Sequence, residues 1–194
     1  MDSASLAPLP RTFTYSEARK HGMPRRAIES MTAQGTLERL GRGLYRRTNG
    51  SLIDLDLAAA ATRSPAATLC LTSALAHHDL TDQIPAAYDL ALPRGSRTPA
   101  LRGPFSWHLF AADTFLLGRE ELEVDEGLSI GIYSAERSII DALRMRRLEG
   151  NELGNDALRR WLRRRGSQPA SLLELASQFP RTVRPLRQAL EFLL

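Results

Sequence analysis

Basic side chains are concentrated in the first fifty residues, where they could bind a polyanion. This segment carries nine basic and four acidic residues, whereas the remainder of the 194-residue chain is close to neutral. A small basic unit beside a larger neutral one indicates an anionic partner for the small unit. The sequence therefore directs attention to the elements that would hold these side chains.

Two short helices are predicted in this segment. Thr14 or Ser16 caps a helix that ends at Gly22, and a second helix runs over about Pro24–Gln34 before Gly35 ends it. Two helices joined by a tight turn that contains glycine are typical of a helix-turn-helix. The third helix of such a core would come either from residues 2–7 or from residues 52–62.

A two-stranded hairpin is predicted directly after the second helix. Residues 36–40 and 44–47 are short, partly apolar pieces that flank Gly41-Arg42-Gly43, whose glycines supply the positive φ values of a tight turn. A helix pair followed by a hairpin indicates a winged helix-turn-helix. Its second helix would enter the major groove of DNA with its first residues reaching base edges.

We expect this unit to bind double-stranded DNA. Arg25 and Arg26 begin the second helix, where a guanidinium fork can pair with guanine O6 and N7, and Arg42 lies at the hairpin tip. Docking of a protein by the same fold is the alternative. The predicted contact residues are Arg19, Lys20, Pro24, Arg25, Arg26, Glu29, Ser30, Arg39, Arg42, Arg46 and Arg47. Five of them are assigned to phosphates: Arg19, Lys20, Arg39, Arg46 and Arg47.

The remainder of the chain is predicted to be an α+β domain with a helical C-terminal end. The turn cluster Asn49-Gly50-Ser51 divides the chain into residues 1–50 and 51–194. Strands are predicted at 87–92, 105–110 and 128–133, and helices at 54–62, 67–78, 135–148, 155–165, 171–179 and 185–194.

A second arginine cluster occupies residues 144–165. It could contact flanking DNA phosphates or RNA, or it could be an ordinary solvated helix surface. The acidic run Glu120–Glu126 could screen it. The residues assigned to this second basic patch are Arg144, Arg147, Arg159, Arg160, Arg163 and Arg164.

The residue types that would support catalysis or metal binding do not form a convincing pattern. Asp54-Leu-Asp56 has the spacing of a metal-binding carboxylate pair, but the helical sequence after it favours acids at a helix start. His77 and His78 are adjacent on a predicted helix and point apart, and Cys70 lies in an apolar stretch. We therefore predict no enzyme, no catalytic residue, no metal and no cofactor.

The expected location is the cytoplasm, in association with the nucleoid. The N-terminal sequence lacks the pattern of a signal peptide, and no apolar run approaches the ~18 residues that span a membrane.

Four segments together resemble the AbiEi-type antitoxins of bacterial abortive-infection toxin–antitoxin operons. They are TYSEARKHGMPRRAIESMTAQGTLERLGRGLYRR, LCLTSALAHHDLTD, YDLALPRGSR and YSAERSIIDALR, in the same order as in that family. The resemblance implies that the N-terminal unit binds inverted repeats in its own promoter and represses transcription. It also implies that the C-terminal domain counteracts a toxin, typically of the nucleotidyltransferase type. The recognition helix maps to Pro24–Gln34 and the wing to Leu37–Arg47.

Overall fold

The computed structural model describes residues 6, 9–48, 54–145 and 151–193. Its contacts divide the chain into two units. The first consists of Met1–Ala67, Pro99–Gly103 and Glu121–Gly131, and the second of Thr68–Thr98, Pro104–Glu120 and Ile132–Leu194. The boundary predicted at residues 49–51 lies outside the described residues. The chain contains both helices and sheets, which confirms the α+β class.

The first unit contains a three-stranded antiparallel sheet and three helices. In chain order its main elements are β1 (Thr12–Thr14), α1 (Tyr15–Lys20), α2 (Arg25–Ala33), β2 (Leu37–Gly41), β3 (Leu44–Arg47) and α3 (Leu55–Arg63). The strand order is β1-β3-β2, so the hairpin strand β3 lies in the centre. The predicted helix pair and hairpin are confirmed, whereas β1 was not predicted.

Local signals in the sequence explain where the helices of this unit begin and end. Thr14 Oγ1 accepts a hydrogen bond from the Glu17 backbone N–H, and Glu17 Oε2 accepts one from the Thr14 backbone N–H. This reciprocal capping box starts α1 directly at the end of β1. Gly35 follows α2 with a φ of 74°, a left-handed conformation that suits glycine, and the chain then enters β2.

The core of the first unit joins the helix pair to the sheet. Phe13 on β1, Met23 before α2, Ile28 on α2 and Leu37 on β2 are all buried in one cluster, with Tyr45 packed against it. The hydrophobic effect therefore holds α2 against the sheet through a few large side chains. β1 contributes to this core although it is only three residues long.

Helix α3 contacts both β1 and β2. Asp54 caps it, because its Oδ1 accepts hydrogen bonds from the backbone N–H groups of Asp56 and Leu57, each at 3.1 Å. Of the two candidates for a third helix, the segment near residues 52–62 therefore forms a helix packed against the sheet. The other candidate, residues 2–7, lies largely outside the described residues.

A carboxylate from a distant part of the chain completes the first unit. The side chain of Asp125 is buried, and it accepts a hydrogen bond from Thr12 Oγ1 at 3.1 Å. Arg11 Nη1 lies 3.6 Å from the same carboxylate. A buried carboxylate needs such partners, since desolvation of an unpaired charge is costly.

The remaining elements form a five-stranded sheet and a set of helices. In chain order the remaining elements are β4 (Thr68–Leu69), α4 (Leu71–His77), β5 (Tyr88–Pro93), β6 (Phe105–Phe110), β7 (Arg119–Asp125), β8 (Leu128–Tyr133), α5 (Ala135–Arg144), α6 (Asn151–Leu162), α7 (Pro169–Ser177) and α8 (Val183–Leu193). The strand order is β6-β5-β4-β8-β7. β5 pairs antiparallel with β4 and parallel with β6. Within the described ranges, none of the helices combines the length and the apolar character required to cross a membrane.

Two segments contain strands that were not predicted from the sequence. The acidic run Glu120–Glu126 lies mostly in strand β7, where Glu120, Glu121 and Glu123 are exposed on an edge strand. The predicted helix 67–78 is split, because β4 takes its first residues and α4 begins only at Leu71. In both places pairing within the sheet overrides the local pattern.

One buried arginine connects α5 to the loop before β7. Arg137 Nε donates to Asp141 Oδ2 at 2.7 Å, and Nη1 donates to the carbonyl oxygens of Thr114 and Leu117. Its guanidinium carbon lies 4.1 Å from the ring centroid of Tyr133. Burial raises the pKa of Asp141, and the adjacent arginines oppose that effect. The buried guanidinium of Arg137 is thus stabilised by an ion pair with Asp141, by two carbonyl oxygens and by the face of the Tyr133 ring.

Asp141→Ala is expected to destabilise the protein by about 3–5 kcal/mol, because it leaves the Arg137 charge buried without its carboxylate. The matched control is Asp156→Ala, which removes an exposed aspartate that pairs with Arg159 at 2.6 Å. That change should cost less than about 1 kcal/mol. Urea unfolding followed by far-UV circular dichroism measures both variants, and equal losses would contradict the role given to Asp141.

Gly118→Ala is expected to destabilise the protein more than Gly127→Ala. Both glycines have left-handed φ values, 67° and 69°, so an alanine is strained by a similar amount at each position, about 1 kcal/mol. A Cβ at residue 118 would also lie 2.8 Å from the Arg137 Cβ, whereas nothing lies within 4 Å at residue 127. Overpacking should add about 1–3 kcal/mol at residue 118 only. The same urea titration measures the difference.

Candidate nucleic-acid interface

Helix α2 leaves one face exposed because its apolar stripe is narrow. Ile28 is fully buried, and Ala27 and Met31 pack against the core of the first unit. Met31 follows Ile28 by three residues and Ala27 by four, so the three lie on one side of the helix. The predicted contact residues on the other sides are all exposed: Arg25, Arg26, Glu29 and Ser30.

An ion pair orients Arg25 on this exposed face. Arg25 Nε donates to Glu29 Oε1 at 2.8 Å across one turn of the helix, and both side chains are more than half exposed. This hydrogen bond raises the pKa of Arg25. This bond engages Nε, so it does not use the edge of the guanidinium that the two Nη groups form.

A groove of about 550 Å³ lies between α2 and the β2–β3 hairpin. It brings together arginines that are distant in the sequence, Arg25 from the helix and Arg39 and Arg42 from the hairpin. Tyr15 and Tyr45 contribute aromatic rings to its wall. The full lining is Tyr15, Arg25, Glu29, Thr32, Ala33, Arg39, Arg42, Gly43 and Tyr45. We call this cavity the helix–hairpin groove.

The hairpin turn is held by its own backbone and by α3. Arg39 Nε donates to the Gly41 carbonyl oxygen at 3.1 Å, and the Arg63 guanidinium of α3 donates to the Arg42 carbonyl oxygen. Of the two glycines expected to supply positive φ values in this turn, Gly43 has a φ of 67° and Gly41 does not have a positive φ. The backbone of the turn is therefore fixed while the side chains of Arg39 and Arg42 are exposed.

Two of the hairpin arginines predicted to neutralise phosphates have side chains that are buried or half-buried. Arg46 is only 8% exposed, because it shares a face of the central strand β3 with the buried Leu44. Arg47 is half-buried, and its guanidinium donates to the Leu9 carbonyl oxygen. Burial leaves the Arg46 side chain little access to a phosphate, and Arg47 holds the segment before β1.

The remaining predicted contact residues are exposed but do not line the groove. Arg19 and Lys20 occupy the last turn of α1, and Pro24 immediately precedes α2 in an extended conformation. Cations near a helix C-terminus are favoured by the helix dipole. Exposure leaves them available to an anionic partner.

Most of the second basic patch is paired within the protein. Arg159 pairs with Asp156 and Arg160 with Asp82. Arg164 donates to the His78 carbonyl oxygen. Arg144 contacts Asp141 at 3.1 Å and lies 4.8 Å from the Phe179 ring centroid. Arg163 is exposed, and Arg147 lies outside the described residues. These contacts favour a structural role for this surface over a second nucleic-acid contact.

Two functional candidates of the first unit were missed by sequence reasoning. Arg102 lies beside Arg39 and Arg42 at a second cavity, and Asp125 lies beside Arg11 and Thr12. Each is far along the chain from its neighbours. No local pattern signals such long-range proximity.

The other side chains that could support catalysis or metal binding are buried or bonded to other groups of the protein. Asp54 caps α3, Cys70 is fully buried before α4, and His78 Nε2 lies 2.8 Å from the Tyr133 carbonyl oxygen. His108 Nε2 and Asp89 Oδ1 are 2.9 Å apart on neighbouring strands. Over the part of the chain that the structure describes, no three His, Cys, Asp or Glu side chains are grouped to hold a metal ion.

Comparison with known proteins finds a family match for the segment that lines the groove. A family model described as a transcriptional regulator, AbiEi antitoxin, matches residues 7–48. No curated protein matches the chain. The matched residues include α1, α2 and the whole hairpin, which together supply every residue of the groove's lining. The resemblance to the AbiEi-type antitoxins is therefore confirmed over residues 7–48, where the chain matches that family of transcriptional regulators.

Proposed function

We propose that this protein is a DNA-binding autorepressor and antitoxin of a bacterial toxin–antitoxin operon. The family match supports an antitoxin and regulator role. The finer proposal is that the helix pair and hairpin act as a winged helix on inverted repeats in the operon's own promoter. Residues beyond the first unit would counteract a toxin of the nucleotidyltransferase type, by direct contact or only functionally. The proposed site of action is the cytoplasm, at the nucleoid.

The observation that carries the DNA-binding proposal is the exposed arginine set around the helix–hairpin groove. Arg25 and Arg26 are exposed in the first turn of α2, and Arg39 and Arg42 are exposed on the hairpin beside it. The first residues of a recognition helix reach base edges, and a basic hairpin beside it can reach the sugar-phosphate backbone. Contacts to base edges and contacts to the sugar-phosphate backbone are therefore assigned to different residues of this unit.

The roles of the two helix arginines differ in this arrangement. Arg25 is anchored to Glu29, so its orientation is set before DNA binds. Preorganisation lowers the side-chain entropy lost on binding. Arg26, the next residue, points about 100° away around the helix and is the second candidate for a guanine contact. Arg39 and Arg42 are assigned to phosphates, since phosphate contacts position a protein without reading sequence.

Arg26→Ala is expected to weaken binding to the promoter repeat by about 1–3 kcal/mol and to relax base preference. The reason is that a bidentate arginine–guanine pair discriminates against the other bases. The measurement is fluorescence anisotropy with the promoter duplex and with variants changed at single base pairs. Arg187→Ala, on the exposed surface of α8, is the matched control and should bind like the original protein.

Two results would contradict this assignment. If Arg26→Ala kept both affinity and base preference, and Arg25→Ala did the same, α2 would not be the recognition helix. If the original protein bound no duplex in a salt-dependent way but co-purified with the neighbouring gene product, the groove would dock a protein instead.

Arg42→Ala is expected to weaken binding to all duplexes alike. Loss of one phosphate contact should reduce the slope of log K against log salt by about 0.9. Anisotropy titrations between about 50 and 200 mM salt, on the promoter duplex and on a scrambled duplex, measure this slope. A loss confined to the promoter duplex would show that Arg42 reads sequence, contrary to its assignment.

A further inference from the structure

A loop outside the family-matched segment contributes to the basic surface of the hairpin. Arg102 lies between β5 and β6, in the stretch Pro99–Gly103 that clusters with the first unit. We propose that Arg102 joins Arg39 and Arg42 in a phosphate-binding site at the hairpin tip, which holds a backbone phosphate of duplex DNA. The phosphate chemistry follows from the cavity itself, and only the identity of the ligand as DNA rests on the proposed function.

The site is a cavity of about 400 Å³ on the side of the hairpin. Its lining consists of Arg39, Leu40, Gly41, Arg42 and Arg102. Three of these five residues are arginines and none is acidic. The guanidinium group presents several N–H donors in a planar fork that matches phosphate oxygens. The composition of the lining therefore selects an anion with several oxygens.

The charges at this cavity are not neutralised by the residues that line it. Arg39 Nε donates to the Gly41 carbonyl oxygen, a neutral acceptor, and the neighbouring Glu38 does not line the cavity. Arg39, Arg42 and Arg102 are all exposed. Like charges that face one cavity repel each other, and a bound anion relieves that repulsion. A phosphate is thus stabilised by all three groups at once.

The cavity shares two lining residues with the helix–hairpin groove. Arg39 and Arg42 line both. A duplex whose major groove received α2 would pass its backbone along the hairpin tip, where these arginines lie. Arg102 extends the basic surface beyond the hairpin. It is assigned to the phosphate backbone and not to the bases.

The first test uses the full chain, the promoter duplex and a scrambled duplex in anisotropy titrations. Arg102→Ala should weaken both alike and shrink the affinity ratio between 50 and 200 mM salt by about threefold to fourfold, the effect of one lost phosphate contact. Arg97→Ala is the matched control, an exposed arginine of the same connection that does not line the cavity. It should leave the ratio unchanged.

The second test asks whether the site binds phosphate without DNA. Inorganic pyrophosphate, titrated into the ¹⁵N-labelled full chain, should shift the Gly41 amide resonance in the original protein and in Arg97→Ala, but not in Arg102→Ala. If Arg102→Ala matches Arg97→Ala in both tests, the site is overturned. If pyrophosphate responds but DNA affinity does not depend on Arg102, the DNA assignment is overturned. A DNA response that depends on Arg102 supports the assignment with or without the pyrophosphate shift.

Failure of the proposed function gives a different result. In that case the original protein binds neither duplex, while an Arg102-dependent pyrophosphate shift still supports a phosphate site for another ligand. If the original protein shows neither DNA binding nor a pyrophosphate shift, both the proposed function and the site are overturned.

Discussion

A narrow apolar stripe on α2 determines how the first unit presents its charges. Ile28 alone on this helix is fully buried, with Ala27 and Met31 beside it, and five of its nine residues are exposed. The sheet that receives this stripe depends in turn on Phe13 and Leu37, which come from strands on opposite sides of β3. A wider stripe would have buried the arginines, and a weaker one would not have held so short a helix, since helices of this length are marginal alone.

Arginine has opposite uses at different positions of this chain. In the first unit, Arg26, Arg39 and Arg42 are exposed. In the second, Arg137 is fully buried and its donors are used by a carboxylate and two carbonyl oxygens. Arginine tolerates both because its guanidinium is weakly hydrated, planar and always charged. The number of arginines in a segment therefore does not identify a nucleic-acid surface. Whether each guanidinium is exposed or bonded to other groups of the protein is more informative.

Much of the first unit could be predicted from local signals, and the errors have a common cause. Capping at Thr14, the glycine after α2 and the glycines of the hairpin act within a few residues, so the helices and hairpin follow from the sequence. Strand β1 has three residues and exists because it pairs with β3, about thirty residues later. Whether Arg46 or Arg47 faces the interior depends on register, which a one-residue shift reverses. The candidate site shows the same limit, since Arg25 and Arg42 were predicted and Arg102 was not.

The contact between Thr12 and Asp125 has a consequence for how the protein is made. The carboxylate that completes the first unit is encoded 113 residues after the threonine that donates to it. Residues 99–103 and 121–131 also belong to that unit. During synthesis, therefore, the ribosome must reach residue 131 before the first unit has all its parts. The segment 7–48 leaves the ribosome well before the residues that complete its unit.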